Sequence, residues 1–410
     1  MGHFFSFDPE STVATGSDLK ICGGYPPPVI PGRTEKMGHF FSSDPESTVA
    51  TTDSDLSFSF DRNDMTLKFI EFKMKKFYTS DKKIALFNSD VMELYPEMPS
   101  PIVIISDGPY GIGGFPGDPP TPDELPLWYE PHIKEWSQIS TPQTTLWFWN
   151  TEIGWAVVHP ILKKNNWEYV SCHIWDKGIQ HIAGNSNSKT LRKLPVVTEV
   201  CVQYVKKPIF TVDGATVEMK EWLRHEWKRS GLPFNTANEA CGVKNAATRK
   251  YLTKCSLWYF PPADAFEKLS DYANTYGREG GKPYFSLDGV KTIKKEDWKK
   301  MRSKFKCPHG ITNVWSEPPL NGEERIKIGS KAFHLNQKPL LFMNRTIQLS
   351  SDPGDLVFEP FGGLCSGVFA AHQIERKGMA AEINESVFDK AVERFKYVKT
   401  QLRLIQKVFG

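Results

Sequence analysis

Two segments about 250 residues apart hold the residue types that could do chemistry. One is Ile104-Ile105-Ser106-Asp107-Gly108-Pro109-Tyr110-Gly111, the other Val357-Phe358-Glu359-Pro360-Phe361-Gly362-Gly363. Each is an apolar strand that stops in an acid, a proline and an aromatic. In a parallel α/β sheet, ligands bind beyond such carboxyl ends of strands. Two of them imply two adjacent pockets, one for a cofactor and one for a substrate.

Asp107 can accept a hydrogen bond from an exocyclic amine, and the Gly108 carbonyl can accept a second. Tyr110 offers a face on which a planar base could stack. An aryl amine is a poor nucleophile because its lone pair is delocalised into the ring. Two acceptors on its protons favour the pyramidal nitrogen that can attack a methyl group. The competing reading of these residues is an ordinary Asp-Gly-Pro turn.

The second segment leads from a strand through glycines into a helix. Bare glycines allow close backbone approach, and the helix N-terminus favours a carboxylate or phosphate. Glu382 ends the next strand some twenty residues later, where an acid can accept both ribose hydroxyls of an adenosine. No GK[ST] follows the glycines. The spacing suits a dinucleotide or S-adenosylmethionine. Glu359 would face a phosphate unfavourably and an α-amino group well, so a cofactor carrying a methionine-type ammonium is preferred.

The elements around these segments alternate. Strands are expected at 83–90, 101–106, 144–149, 168–175, 199–205, 356–358 and 378–381. Helices are expected at 153–164, 338–350, 366–376 and 386–401. This alternation predicts a doubly wound sheet. Residues 111–125 form a Gly/Pro loop long enough to be functional. The chain begins with two near copies, Met1–Leu19 and Met37–Leu56. Residues 1–64 read as a flexible duplicated leader outside the fold. Seven cysteines are scattered without a CxxC pair, which argues against disulfides or zinc and for a reducing, cytoplasmic setting. No apolar run reaches the roughly 18 residues of a membrane span. The net charge is +3, yet residues 206–333 hold 24 Lys and Arg against 15 Asp and Glu. A basic segment in a near-neutral chain suggests a polyanion partner.

On these residues the chain resembles the β-class, circularly permuted, amino-methylating DNA methyltransferases. Asp107-Gly108-Pro109-Tyr110 is similar to their (D/N/S)PP(Y/F/W) catalytic motif, and Glu359-Pro360-Phe361-Gly362-Gly363 to their DPFxG cofactor motif. Asn336-Gln337-Lys338-Pro339 resembles the TQKP element. Asn88-Ser89-Asp90 resembles the NGD element, whose acid reads the cofactor's adenine amine. Ile174-Trp175-Asp176-Lys177 resembles the IWxK strand end that walls the target-base pocket. The catalytic motif precedes the cofactor motif, as in the permuted class.

The resemblance implies a Rossmann-like, seven-stranded, mostly parallel sheet with an inserted, mainly helical target-recognition domain. The catalytic half would be 65–205, the insertion 206–333 and the cofactor half 334–410. S-adenosylmethionine would be held by Asp90, Asp107, Asn336, Gln337, Lys338, Glu359, Phe361, Gly363 and Glu382. Tyr110 and Trp175 would line the pocket of a flipped base. The implied partners are double-stranded DNA, a cognate restriction endonuclease and a second copy of the chain, in a prokaryotic or phage-type, nucleoid-associated setting. Three departures stand out. Gly108 replaces the first proline, which predicts a more flexible loop. Glu359 replaces Asp. Leu364-Cys365 stands where Ser-Gly is usual. Asp118-Pro119-Pro120 contains DPP literally, but no apolar strand precedes it, so it reads as loop.

Within the insertion, 236–240 and 245–251 read as two short helices around a Cys241-Gly242-Val243 turn. That resembles a helix-turn-helix. Lys244, Asn245, Thr248, Arg249 and Lys250 would then face DNA. Residues 294–306 read as a basic helix with Trp298, Met301 and Phe305 on one side. The expected activity is methyl transfer to adenine N6, with cytosine N4 as the close alternative. A DNA-binding regulator that has lost catalysis is the rival from another class, and an RNA or protein amine methyltransferase is a third reading.

Overall fold

The computed structural model describes residues 75–182, 192, 194–320, 322, 324–334 and 336–396. The expected leader lies outside the described residues, as does the end of the last expected helix. All described residues fall in one unit, Asp55–Gly410.

The strands are β1 Lys75–Tyr78, β2 Ile84–Asn88, β3 Val103–Ser106, β4 Thr145–Asn150, β5 Trp167–Asp176 and β6 Thr198–Lys206. They continue with β7 Phe210–Val212, β8 Ala215–Val217, β9 Val314–Ser316, β10 Lys327–Ile328, β11 Lys331–Ala332, β12 Leu356–Glu359 and β13 Lys377–Ala381. Nine of them form one sheet in the order β1-β2-β13-β12-β3-β4-β6-β5-β9. The run from β2 to β4 is parallel, and β6 is antiparallel to both its neighbours. All seven expected strands are present, and the short edge strands β1 and β9 were not foreseen.

The helices are α1 Leu125–Ile139, α2 Glu152–Lys164, α3 Met219–Arg229, α4 Thr236–Cys241, α5 Ala246–Tyr251, α6 Ala263–Tyr276, α7 Lys295–Lys299, α8 Leu340–Ser350 and α9 Ser366–Gln373. A tenth, α10, is helical over 385–396. The sequence reading missed α1, which starts in a Pro-rich run and contains Pro131. Its Leu125, Tyr129, Ile133 and Trp136 nevertheless recur at helical spacing and are buried.

Side chains alternate across the sheet, as a strand period of two requires. Ile104, Leu146, Phe148 and Phe358 join α1 and α2 on one face. Val103, Ile105, Trp147, Trp149 and Val357 join Phe342, Met343 and Ile347 of α8 on the other. Burying each such side chain contributes about 1.5–3 kcal/mol. The insertion has a separate core, built on Trp222, Trp227, Phe266, Phe285 and Trp298. Its expected 294–306 helix is only α7. Trp298 is buried, but Phe305 is exposed, and Lys304 and Lys306 pair instead with Asp352 and Asp355 ahead of β12.

The permuted order puts two chain-distant strands side by side. β12 lies parallel to β3, with Phe358 opposite Ile104. Asp107 and Glu359 therefore leave neighbouring strand ends at the point where the strand order reverses, the place where such sheets bind ligands.

Candidate active site

A cavity of about 660 Å³ opens beyond these strand ends. Asp90, Asp107, Gly108, Pro109, Tyr110, Asn336, Gln337, Lys338, Glu359, Phe361, Gly363 and Glu382 all line it, so most of the expected site residues converge. Asp90 caps the turn after β2 by accepting from the Met92 amide at 2.9 Å.

The glycine turn is fixed by close approach. A Cβ on Gly362 would lie 2.9 Å from the Ala381 carbonyl oxygen, and Gly363 has φ +49°. The Gly363 amide donates to Glu382 Oε2 at 2.7 Å, and the Asn384 amide donates to Oε1 at 2.8 Å. Burial pushes the Glu382 carboxyl above its usual range. Leu364 and Cys365 are an extra pair within the turn, with Cys365 left-handed at φ +50°. Ser366-Gly367 follows and opens α9, so the Ser-Gly of the motif stands two residues later than expected.

Several side chains are placed differently from their expected roles. The Glu359 carboxylate turns toward α9, where the Gly367 and Val368 amides donate to it at 3.2 and 3.0 Å. Burial, opposed by these two amides, pushes its carboxyl up to about 8. The Gln337 side chain clasps the preceding loop: it donates to the Glu324 carbonyl and accepts from the Ile326 amide. Its amide is thereby committed to the chain. Trp175 does not line the cavity. Its indole is buried beside Trp149 and Phe342 and donates to the Glu317 carbonyl, because β9 covers that side of β5.

Lys338 crosses to the acceptor side. Its ammonium lies 2.8 Å from Asp107 Oδ1 and 3.5 Å from Glu199 Oε2, and its side chain is only 3% exposed. Burial works against this charge, but the two carboxylates outweigh it and raise the Lys338 pKa. Burial likewise raises that of Glu199, and Lys338 and Lys177 overcome it and hold the group low. The Tyr110 hydroxyl donates to Asp107 Oδ1 at 3.0 Å, and burial raises its pKa well above the usual value.

The loop after Asp107 is pinned where looseness was expected. The Pro109 carbonyl accepts from Tyr129 and from Asn150 at 3.0 and 2.9 Å. Asp118, the acid of the discounted DPP, is buried and accepts from the amides of Tyr110, Gly111, Ile112 and Gly114. It anchors this loop, a role that its Asp-Pro-Pro sequence does not announce. His334 and Trp128 also line the cavity and went unforeseen. His334 Nδ1 is buried and meets no partner among the described residues.

In the insertion, α4, a left-handed Gly242 and α5 form the expected helix pair. Lys244, Asn245, Arg249 and Lys250 are exposed. Thr248 is half-buried, and its hydroxyl donates to the Phe234 carbonyl at 2.6 Å.

The chain is an α/β protein with a mostly parallel sheet and one cavity that joins the Asp107 loop to the Gly362-Gly363 turn. The DNA methylase family model matches residues 102–393, and the chain belongs to that family. It is 35% identical over 89 residues to the type II methyltransferase M.HinfI of Haemophilus influenzae, a match spanning 21% of this chain and 24% of that protein. Among solved structures it is similar to the M1.HpyAVI–SAM complex (15% identity, 76% of this chain and 99% of that one, TM-score 0.41). It is also similar to the cytosine-N4-specific PvuII DNA methyltransferase (11% identity, 79% and 90%, TM-score 0.49).

Proposed function

We propose that the protein transfers a methyl group from S-adenosylmethionine to the exocyclic amine of a flipped base in double-stranded DNA, adenine N6 in preference to cytosine N4. The observation that carries this reading is the shared cavity, in which Asp107 and the Gly362-Gly363 turn stand on adjacent strand ends. The residues fit the cofactor: a ribose-type acid at Glu382 and the close-approach glycines line one space. Glu382, Gly363, Asn336 and Asp90 would hold it, and when bound it supplies an electrophilic methyl group.

The chain's own groups then orient the nucleophile. Asp107 Oδ1 is occupied by Lys338 and Tyr110, so Oδ2 is the oxygen offered to the target amine. Accepting a proton-side hydrogen bond there favours the attacking lone pair, and the Tyr110 ring provides the stacking face. Proximity and these fixed acceptors supply most of the acceleration. Asp107 suggests adenine, since family members acting on cytosine more often carry Ser there.

The chain is read as a catalytic half at 65–205, a DNA-reading insertion at 206–333 and a cofactor half at 334–410. The separate core of the insertion supports that division. A restriction endonuclease partner, a homodimer and a nucleoid-associated cytoplasmic setting rest on the family resemblance. No helix among the described residues is long and apolar enough to cross a membrane. Mass spectrometry of nucleosides from DNA incubated with the protein and cofactor tests the reading. N6-methyladenine is expected. N4-methylcytosine would select the alternative, and no methylated nucleoside would favour the regulator.

A further inference from the structure

The loop between β3 and α1 leaves the cavity wall at Tyr110 and rejoins it at Phe115, Pro116 and Gly117. Between these points stands Ile112, which is 61% exposed. Its side chain projects from a fixed base. The Ile112 amide donates to Asp118 Oδ2 at 3.2 Å, and the Gly113 amide donates to the Pro119 carbonyl at 3.1 Å. Gly111 has φ +70°, and a Cβ there would lie 2.7 Å from Pro122 Cα. The seven residues 111–117 read Gly-Ile-Gly-Gly-Phe-Pro-Gly. None of these side chains carries a charge or a hydrogen-bonding group. They can neither read a base edge nor neutralise a phosphate. What they present is shape and apolar surface.

We infer that Ile112 is the wedge that enters the duplex as the target base leaves it, filling the stack at the vacated position. This rests on the methyltransferase reading and names the residue that eases extrusion. A base seated on the Tyr110 ring has lost its stacked neighbours, which costs free energy. Apolar side chains inserted between base steps offset such a cost in proteins that distort DNA. Ile112 is two residues beyond Tyr110, so their Cα atoms are at most about 7 Å apart. That is roughly two base steps of about 3.4 Å each. A base delivered to Tyr110 therefore brings its former neighbours against Ile112. Phe115 is also exposed, at 42%, but it lines the cavity and so borders the path of the base, not the gap left behind. The apolar surface of Ile112 is then covered in the complex with DNA, where its removal from water is favourable.

The test compares two substrates. Sequencing that detects methylated bases first maps the target site on DNA treated with the wild-type chain. A short duplex carrying that site is then set beside an abasic duplex, identical except that the base opposite the target is missing. Extrusion from the abasic duplex is already easy. Ile112→Ala should lower the single-turnover rate on the intact duplex roughly thirtyfold, because three carbons of filling are lost. On the abasic duplex it should stay within about threefold of wild type. Ile112→Leu keeps the volume and should recover most of the rate on the intact duplex. Cofactor affinity, measured calorimetrically, should be the same in all three proteins. Equal losses on the two duplexes, or a wild-type rate for Ile112→Ala on the intact one, would overturn the wedge. Weakened cofactor binding in Ile112→Ala would overturn it too, by assigning the residue to the donor side. A wild-type chain that methylates no DNA would overturn the methyltransferase reading itself, and the wedge with it.

Discussion

The Tyr129 hydroxyl stands 2.6 Å from the point that a Cβ on Gly108 would occupy. The Phe361 ring lies 2.7 Å from the same point, and the Tyr129 hydroxyl also donates to the Pro109 carbonyl. The glycine at 108 is therefore a fitted part of the acceptor loop, wedged between α1 and the cofactor turn. Gly108→Ala, and more so Gly108→Pro, which would restore the family pattern, should push these two rings apart. Such overpacking costs about 1–3 kcal/mol. Urea unfolding should register that loss, and methyl incorporation should fall roughly a hundredfold as the loop shifts. An unchanged rate in Gly108→Pro would mean the loop has slack.

Asp118 holds four amides of the same loop with one buried carboxylate. Asp118→Asn turns an acceptor into a donor and sets it against two of those amides. Hydrogen exchange should rise at residues 110–114, and kcat should drop with little change in cofactor affinity. A variant with wild-type exchange would remove the anchoring role.

The buried Glu359 carboxyl is pushed up to about 8 from an ordinary 4.5. Below the lower value both the folded and unfolded chains hold the proton. Between the two values only the folded protein retains it, so stability falls as pH rises through that window and levels off above it. One full proton corresponds to about 1.4 kcal/mol per pH unit. Glu382, also raised by burial, acts in the same direction. Urea midpoints from pH 5 to 8 should slope downward, and Glu359→Gln should flatten the slope. Equal slopes in the two proteins would exclude Glu359 as the source.

Thr248 and Arg249 are adjacent in sequence but face different ways. Thr248→Val should cost about 1 kcal/mol of stability through its lost bond to the Phe234 carbonyl, and leave DNA binding alone. Arg249→Ala should weaken duplex binding and reduce its salt dependence without affecting stability. Gel-shift titrations at two salt concentrations separate the two effects.

The strands, the glycine turn and the residues of the cavity were legible because each is a local pattern: a buried run, a breaker and an acid. Helix α1 was not, since its prolines outweighed the periodicity of Tyr129, Ile133 and Trp136. Nor could local reading place side chains whose direction is set by distant partners. Lys338 is drawn to Asp107 by a charge 231 positions away, and Trp175 is buried by β9, which lies near the far end of the insertion. Asp118 was discounted because no strand precedes it, yet its value lies in the amides it gathers and not in the strand it ends.

The sheet order has a consequence for synthesis. β12 and β13 fill the gap between β2 and β3, which are made about 250 residues earlier. A growing chain therefore carries two facing, unpaired strand edges until the last stretch leaves the ribosome. Such edges invite mispairing, so this protein should lean on holding chaperones late in translation. The same delay means that a chain cut short anywhere in the insertion lacks β12 and β13, and with them one wall of the cavity.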